Sequence, residues 1–408
     1  MRDRTQLLLA FAIVAALFSQ PAIADEAPGR DVLASTPTRC QVGPGLGSTL
    51  LFPYFEVDLD DPSGMTTLIS VNNALSTPTL ARLIVWTDWG IPTMAFDIYL
   101  DNIDIATINV RSLFTGDLPV TGIGVDLSAF EGCDINPPQV PTPALTPGQQ
   151  LQLVTAHTGQ AGHIDGLCYS ANYGDGVARG YITVDVVDQC TGFETHELFY
   201  TPANTCCSYF VDGGDPSGVA LTENRLWGDI FYIDPSNNAA QGSEAVSIWA
   251  DPAVFTGTGT YTFYGRFRGY DNRDDRVPLP GTWEQRFLNG GAFDGGADVI
   301  VFQQPNSSEA SPITCGTVPT WYPLTSNIAT VDEDGNELTH YNPWLVGYVT
   351  QRISIDTLSP PYDFGWLHLG DNGYQMWVQP VLTGAGRYSV GLNGTPTFTL
   401  CGISPPTP

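Results

Sequence analysis

The 408-residue chain has no lysine: all fifteen of its basic residues are arginine, set against 43 carboxylates, for a formal net charge of −28 at neutral pH. A chain this negative repels nucleic acid and anionic lipid head groups, which argues against either as a partner. Cations are attracted instead. Charge of this size also keeps a protein soluble, so by itself it identifies no ligand.

Catalytic signatures are equally scarce. The sequence has no H-E-x-x-H, no G-x-S-x-G nucleophile elbow and no glycine-rich phosphate loop of either standard spacing, which removes the usual support for zinc protease, α/β-hydrolase and nucleotide chemistry. No C-x-x-C occurs, against a thiol redox motif or a thiolate zinc site. No apolar run reaches the roughly 18 residues that a membrane-spanning helix needs. Stretches with helical apolar period are few.

What is present begins at the N-terminus. Arg2 and Arg4 precede an apolar run from Leu7 to Phe18 and then Ala22, Ile23 and Ala24. That order of charge, short apolar core and small-residue site predicts a signal peptide over residues 1–24, and hence a secreted protein in the periplasm, at the cell surface or outside the cell. All eight cysteines (Cys40, Cys133, Cys168, Cys190, Cys206, Cys207, Cys315 and Cys401) lie beyond the cut. Export predicts that they pair as disulfides, with the partners left open.

The 43 glycines, 32 prolines and 11% aromatic content point to many short strands joined by turns, an all-β fold. "TMAFDIYLD" (93–101) alternates with period two, placing Met94, Phe96, Ile98 and Leu100 inward on a half-buried strand. "LARLIVW" (80–86) is apolar on both faces apart from Arg82, as a covered central strand would be. "TDWGIP" (87–92) turns the chain between them, which places Trp89 at an exposed hairpin tip. With "TTLISVNNA" and "IATINV" these strands predict an antiparallel, immunoglobulin-like β-sandwich over residues 25–132. "NPPQVPTPALTPG" (136–148) then predicts a Pro-rich linker over 133–176, with a short helix started by Thr146 as N-cap and Pro147 as first residue. A larger β-rich C-terminal part is expected over 177–408, through runs such as "RGYITVDVVD", "LWGDIFYID", "TWEQRFL" and "ADVIVFQQ".

Candidate sites are few. Asp58, Asp60 and Asp61 with Ser63 gather hard oxygen ligands of the kind calcium takes, which makes that loop the candidate metal site and calcium the candidate cofactor. "DEDGNE" (332–337) has D-x-D-x-N spacing but fails as an EF-hand, because its glycine falls at position four and Pro343 stands where the closing glutamate belongs. It reads as a hairpin bent at Asp334-Gly335. "HTGQAGHID" places His157, His163 and Asp165 close enough for a zinc site that would need a fourth ligand from elsewhere. Trp89 is the candidate for stacking on a glycan.

The runs "LLFPYFEVDL", "TLISVNNA", "FDIYLDNIDIATINV", "RGYITVDVVDQC", "LWGDIFYIDPSNNAAQG", "LNGGAFDGGADVIVF" and "GRYSVGL" resemble a group of uncharacterised secreted bacterial β-rich proteins with no assigned activity. The resemblance implies export and a β-rich fold, and it transfers no site residue. Two functions are expected from these features. The first is a secreted or cell-surface, non-enzymatic β-sandwich protein with a structural or partner-binding role, stabilised by calcium, whose partner is a protein or glycan. The second is a carbohydrate-active hydrolase or glycan-binding protein that uses an acidic pair and an exposed tryptophan.

Overall fold

Apolar alternation in the sequence becomes sheet in a computed structural model, which describes residues 42–43, 45–135, 138–140, 144–162, 166–190, 220–250, 276–277, 279–288, 296–303, 312–317, 328–340, 348–370, 375–382 and 395–397. Residues 1–24, the stretch expected to be a signal peptide, lie outside the described residues, as do Cys40, Cys206, Cys207 and Cys401. The described residues all fall within one compact unit.

In chain order the first strands are β1 (Val42–Gly43), β2 (Thr49–Asp58), β3 (Thr66–Asn73), β4 (Thr79–Thr87), β5 (Pro92–Leu100) and β6 (Ile105–Asn109). Helix α1 (Val110–Thr115) and the short strands β7 (Asp134–Ile135) and β8 (Pro138–Gln139) follow, then helix α2 (Pro147–Thr158). After these come β9 (Val177–Val187), β10 (Leu226–Asp234), β11 (Ala239–Glu244) and β12 (Val246–Ile248). The last third holds β13 (Thr282–Leu288), β14 (Ala297–Gln303), β15 (Ile328–Val331), β16 (Glu337–His340), β17 (Thr350–Ser354), β18 (Phe364–Leu369), β19 (Met376–Leu382) and β20 (Thr395–Thr397).

The sheets are antiparallel, so the all-β reading holds. A six-stranded sheet runs β1-β12-β2-β9-β4-β5 and a four-stranded sheet β11-β10-β3-β6. One apolar core lies between them, with Phe52, Leu83, Phe96 and Val184 from the first sheet meeting Ile69, Ile108 and Ile230 from the second. Further on, a five-stranded sheet (β16-β15-β18-β13-β20) and a three-stranded sheet (β17-β14-β19) share a separate core around Trp283, Phe287, Val299, Val301 and Leu367.

The strand that follows the Pro-rich segment does not begin a second sheet. β9 hydrogen-bonds to β2 on one side and β4 on the other, so residues 133–176 connect two parts of one sheet rather than two domains split at that point. The segment is also tied down at both ends. Cys133 is bonded to Cys190 and Cys168 to Cys315, the latter crossing to the C-terminal third. Within it α2 forms where Thr146 and Pro147 predict: the Thr146 hydroxyl caps Gln149, whose side chain returns to the Thr146 amide.

β5 departs from the half-buried expectation, since all nine of its residues are buried. Its second face lies under another apolar layer, in which Ala95 and Tyr99 join Leu80, Ile84 and Trp86 with Leu127, Val140, Phe302 and Val349. At its outer edge the Tyr99 amide donates to the Thr121 hydroxyl at 2.7 Å. Thus the sheet carrying the sequence-predicted sites is covered on both faces.

Candidate functional site

The Asp58–Met65 turn is built around an arginine. Asp58 Oδ1 accepts the backbone amides of Asp60 (2.9 Å) and Asp61 (3.0 Å), and Asp61 Oδ1 accepts the Ser63 amide and hydroxyl, both at 2.8 Å. These bonds to Ser63 hold the Asp61 carboxyl below its usual range. Asp60 turns away toward Gly176, where an added Cβ would fall 2.0 Å from its Oδ2. The three carboxylates therefore do not converge. Arg111, at the start of α1, reaches the turn's backbone oxygens: Nη1 donates to the carbonyls of Asp58 and Asp61, and Nη2 to those of Gly64 (3.0 Å) and Met65 (2.9 Å). A cation thus sits among the carbonyls that a calcium ion would have used. Among the described residues no group of three or more His, Cys, Asp or Glu is placed to hold a metal. Arg111→Met is expected to lower unfolding free energy by about 1–3 kcal/mol, equally with calcium or chelator. A calcium-dependent rise in the wild-type midpoint that vanishes in Asp60→Asn or Asp61→Asn would restore the metal reading.

Trp89 is 3% exposed, which corrects the expectation of an exposed stacking residue. The tip turns where predicted, with Gly90 at φ +69° and its amide donating to the Thr87 carbonyl at 2.8 Å. Other segments then cover it. The Asp88 carbonyl accepts the amides of Val349 (2.7 Å) and Thr350 (3.3 Å), while its carboxylate accepts the Ala171 amide (3.2 Å) and the Tyr173 hydroxyl (3.2 Å). Burial pushes the Asp88 carboxyl up to about 7 against the pull of these bonds and of Arg179.

Beside Asp88 a chain of ion pairs joins the six-stranded sheet to the three-stranded one. Asp175 grips Arg179 with two 2.9 Å bonds, Arg179 lies 3.4 Å from Glu56, Glu56 lies 3.2 Å from Arg352, and Arg352 lies 2.7 Å from Asp298. Glu56 and Arg179 stand opposite each other on β2 and β9. The Arg179 guanidinium also covers the Tyr173 ring at 4.2 Å. Burial, with Glu56 nearby, drives the Tyr54 phenol well above its ordinary range. Signs alternate along this chain, so each charge is answered by its neighbours. It fastens two sheets together.

A second charged cluster is fully buried on the same face of the six-stranded sheet. Arg82 on β4 stands directly opposite Asp97 on β5 and Asp185 on β9. Arg276 enters from beyond the sheet, its Nε donating to the Thr49 hydroxyl at 2.7 Å and its Nη2 lying 3.9 Å from Asp185. The Thr49 hydroxyl donates to Asp185. Two arginines and two aspartates, each at most 1% exposed, balance in sign.

His157 is also enclosed. Its Nδ1 donates to the Arg179 carbonyl at 2.8 Å, which leaves Nε2 to accept the Thr93 hydroxyl at 2.7 Å, so neither nitrogen is free for zinc. Burial brings its pKa down to about 4. His163 and Asp165 lie outside the described residues. The 332–337 turn is the hairpin its sequence predicts, joining β15 to β16 with Gly335 at φ +84° and Asp332 capping the Asp334 and Asn336 amides.

A different kind of surface lies on the outer face of the four-stranded sheet, which the sequence reading did not single out. β10 alternates Leu226, Gly228, Ile230 and Tyr232 inward with Trp227, Asp229, Phe231 and Ile233 outward. Trp227 is 38% and Phe231 42% exposed. Between them Asp229 Oδ2 accepts the Ser70 hydroxyl at 3.1 Å. The alternation in "LWGDIFYID" carries the signal that could have found this face.

Comparison with protein-family models, with curated proteins and with solved structures finds no match. Among the described residues no helix is long and apolar enough to cross a membrane.

Proposed function

We propose that this is an exported, non-enzymatic β-sandwich protein that acts by binding a partner at the cell surface or within the envelope, through the outer face of its four-stranded sheet. The observation that carries the reading is the contrast between the molecule's charged groups and that face. Asp88, His157, the Glu56 ion-pair chain and the Arg82 cluster are buried or answered by charges within the fold. Trp227 and Phe231 are large side chains exposed on one side of a continuously paired strand, as at recognition surfaces. Export is supported by the order of residues 1–24 and by two disulfides.

The test is retention on washed cell envelopes from the organism that encodes the protein. Wild type is expected to be retained, and the Trp227→Ala/Phe231→Ala double variant to be released at an unchanged thermal midpoint. Equal retention of both proteins would defeat the reading. So would turnover of any polysaccharide that a single Asp or Glu substitution abolishes, which would instead establish the hydrolase.

A further inference from the structure

We infer that the ligand of this sheet face is a neutral polysaccharide, stacked on Trp227 and Phe231 and hydrogen-bonded by the polar residues between them. The inference rests on the partner-binding reading above and names the class of partner.

The spacing sets the geometry. Residues four apart on a strand are separated by about 13 Å, with the middle residue about 7 Å from each, so Trp227 and Phe231 mark two stacking positions on one side of β10 with Asp229 between them. Aromatic faces present flat, electron-rich surfaces that suit the C–H face of a pyranose ring. The Phe231 ring lies over its cross-strand neighbour Gly242, where an added Cβ would meet it at 2.6 Å.

The polar residues between the rings select hydroxyl donors. Asp229 and Ser70 are hydrogen-bonded to each other, and Glu244 stands directly opposite Asp229 on β11. On the other side of Ser70, Asn72 donates through its Nδ2 to the Ser70 hydroxyl (3.1 Å) and to the Trp227 carbonyl (3.2 Å). Its own side-chain oxygen, buried in the row that Trp227 begins, has no hydrogen-bond partner. The acceptors left open between the two rings are the carboxylates of Asp229 and Glu244, and a sugar chain offers vicinal hydroxyl donors and apolar ring faces at once.

Charge decides against the other occupants. Protein interfaces deplete Asp, Glu and Ser at their centres, whereas here the centre is Asp229 with Ser70 and Glu244. No strand residue on this face is basic, and the chain carries a net charge of −28, so uronate-rich and sulfated polymers are repelled. What remains is an uncharged glycan.

Affinity electrophoresis through soluble polysaccharides, with co-sedimentation for insoluble ones, tests this directly. Neutral β-glucan, mannan, cellulose and chitin are compared with polygalacturonate and alginate. Wild type is expected to bind at least one neutral polymer and neither anionic one. Trp227→Ala should weaken that binding about tenfold or more, Trp227→Tyr should largely restore it, and the double alanine variant should abolish it at an unchanged midpoint. Preference for an anionic polymer, or neutral binding indifferent to Trp227 and Phe231, would overturn the inference. If no neutral polymer binds while envelope retention still depends on Trp227 and Phe231, the partner is not a neutral glycan although the partner-binding reading stands. Loss of retention in both assays overturns both.

Discussion

Replacing Arg82 by methionine is expected to lower the unfolding free energy by about 3–5 kcal/mol, the cost of removing one member of a buried charge set while its counter-charges stay in place. Arg82 is 1% exposed and sits between Asp97 and Asp185 on β4, the strand next to the edge strand β5 of the six-stranded sheet. Without it, two aspartates share a dry layer with Arg276 alone. Methionine fills most of the vacated volume, so the loss is chiefly electrostatic and not a packing defect. The control is Arg82→Met combined with Asp97→Asn, which removes one charge of each sign. If the cost of the single variant is an uncompensated charge, the double variant recovers at least half of it. A double-mutant cycle followed by urea unfolding, with Asp97→Asn as the other arm, reads the coupling directly. Additive costs would show that Arg82 and Asp97 do not act as a pair. A loss for Arg82→Met below about 1 kcal/mol would place the site in far wetter surroundings than its burial indicates.

Much of the local structure is visible in the sequence because strand period is a local property. "TWEQRFL" spans Thr282–Leu288, and β13 covers the same residues with alternating burial. The Thr146-Pro147 helix start and the Asp334-Gly335 bend also appear where their residue types place them. Pairing is less legible, since alternation says which face is buried and not which strand lies alongside. β9 pairs with β2 across more than a hundred residues of chain and with β4 across about a hundred, and β12 pairs with β2 from still farther away.

The surroundings of the candidate sites are hidden from the sequence for related reasons. "TDWGIP" is a turn, and turns are usually solvent-exposed, but this tip is covered by residues 171–173 and 348–350, which only the long-range fold brings there. The Asp58 loop lists oxygen ligands in its sequence. The cation that fills its carbonyl cage comes from Arg111, fifty residues later. Arg82 was the one visible sign of the buried cluster, a single charge in an otherwise apolar strand. Its partner Asp97 follows from the β4–β5 hairpin register, whereas Asp185 does not.

Asp88→Asn should stabilise the protein at pH 8 and leave it nearly unchanged at pH 4. The Asp88 carboxyl is raised to about 7 in the folded state by burial, against roughly 3.9 in an unfolded chain. Between those values the native state holds a proton that the unfolded state has released, so stability falls as pH rises through this window. The contribution is intact below about pH 4 and lost by about pH 7. Three units at 1.36 kcal/mol each put the full loss near 4 kcal/mol. Four neighbours oppose burial: the Ala171 and Trp89 amides and the Tyr173 hydroxyl donate to the carboxylate, and Arg179 attracts it, each pulling Asp88 downward. Asparagine keeps an acceptor for the Ala171 amide and cannot ionise. The quantity to measure is the difference in unfolding free energy between variant and wild type from pH 4 to pH 8. Taking the difference cancels the protein's other carboxylates, many of which act in the opposite sense. It should grow with pH, with most of the change between pH 4 and 7. A pH-independent difference would mean that Asp88 ionises in the folded state as it does in water. An asparagine variant less stable than wild type at pH 8 would mean that the ionised carboxylate is what holds the hairpin tip against Ala171 and Tyr173.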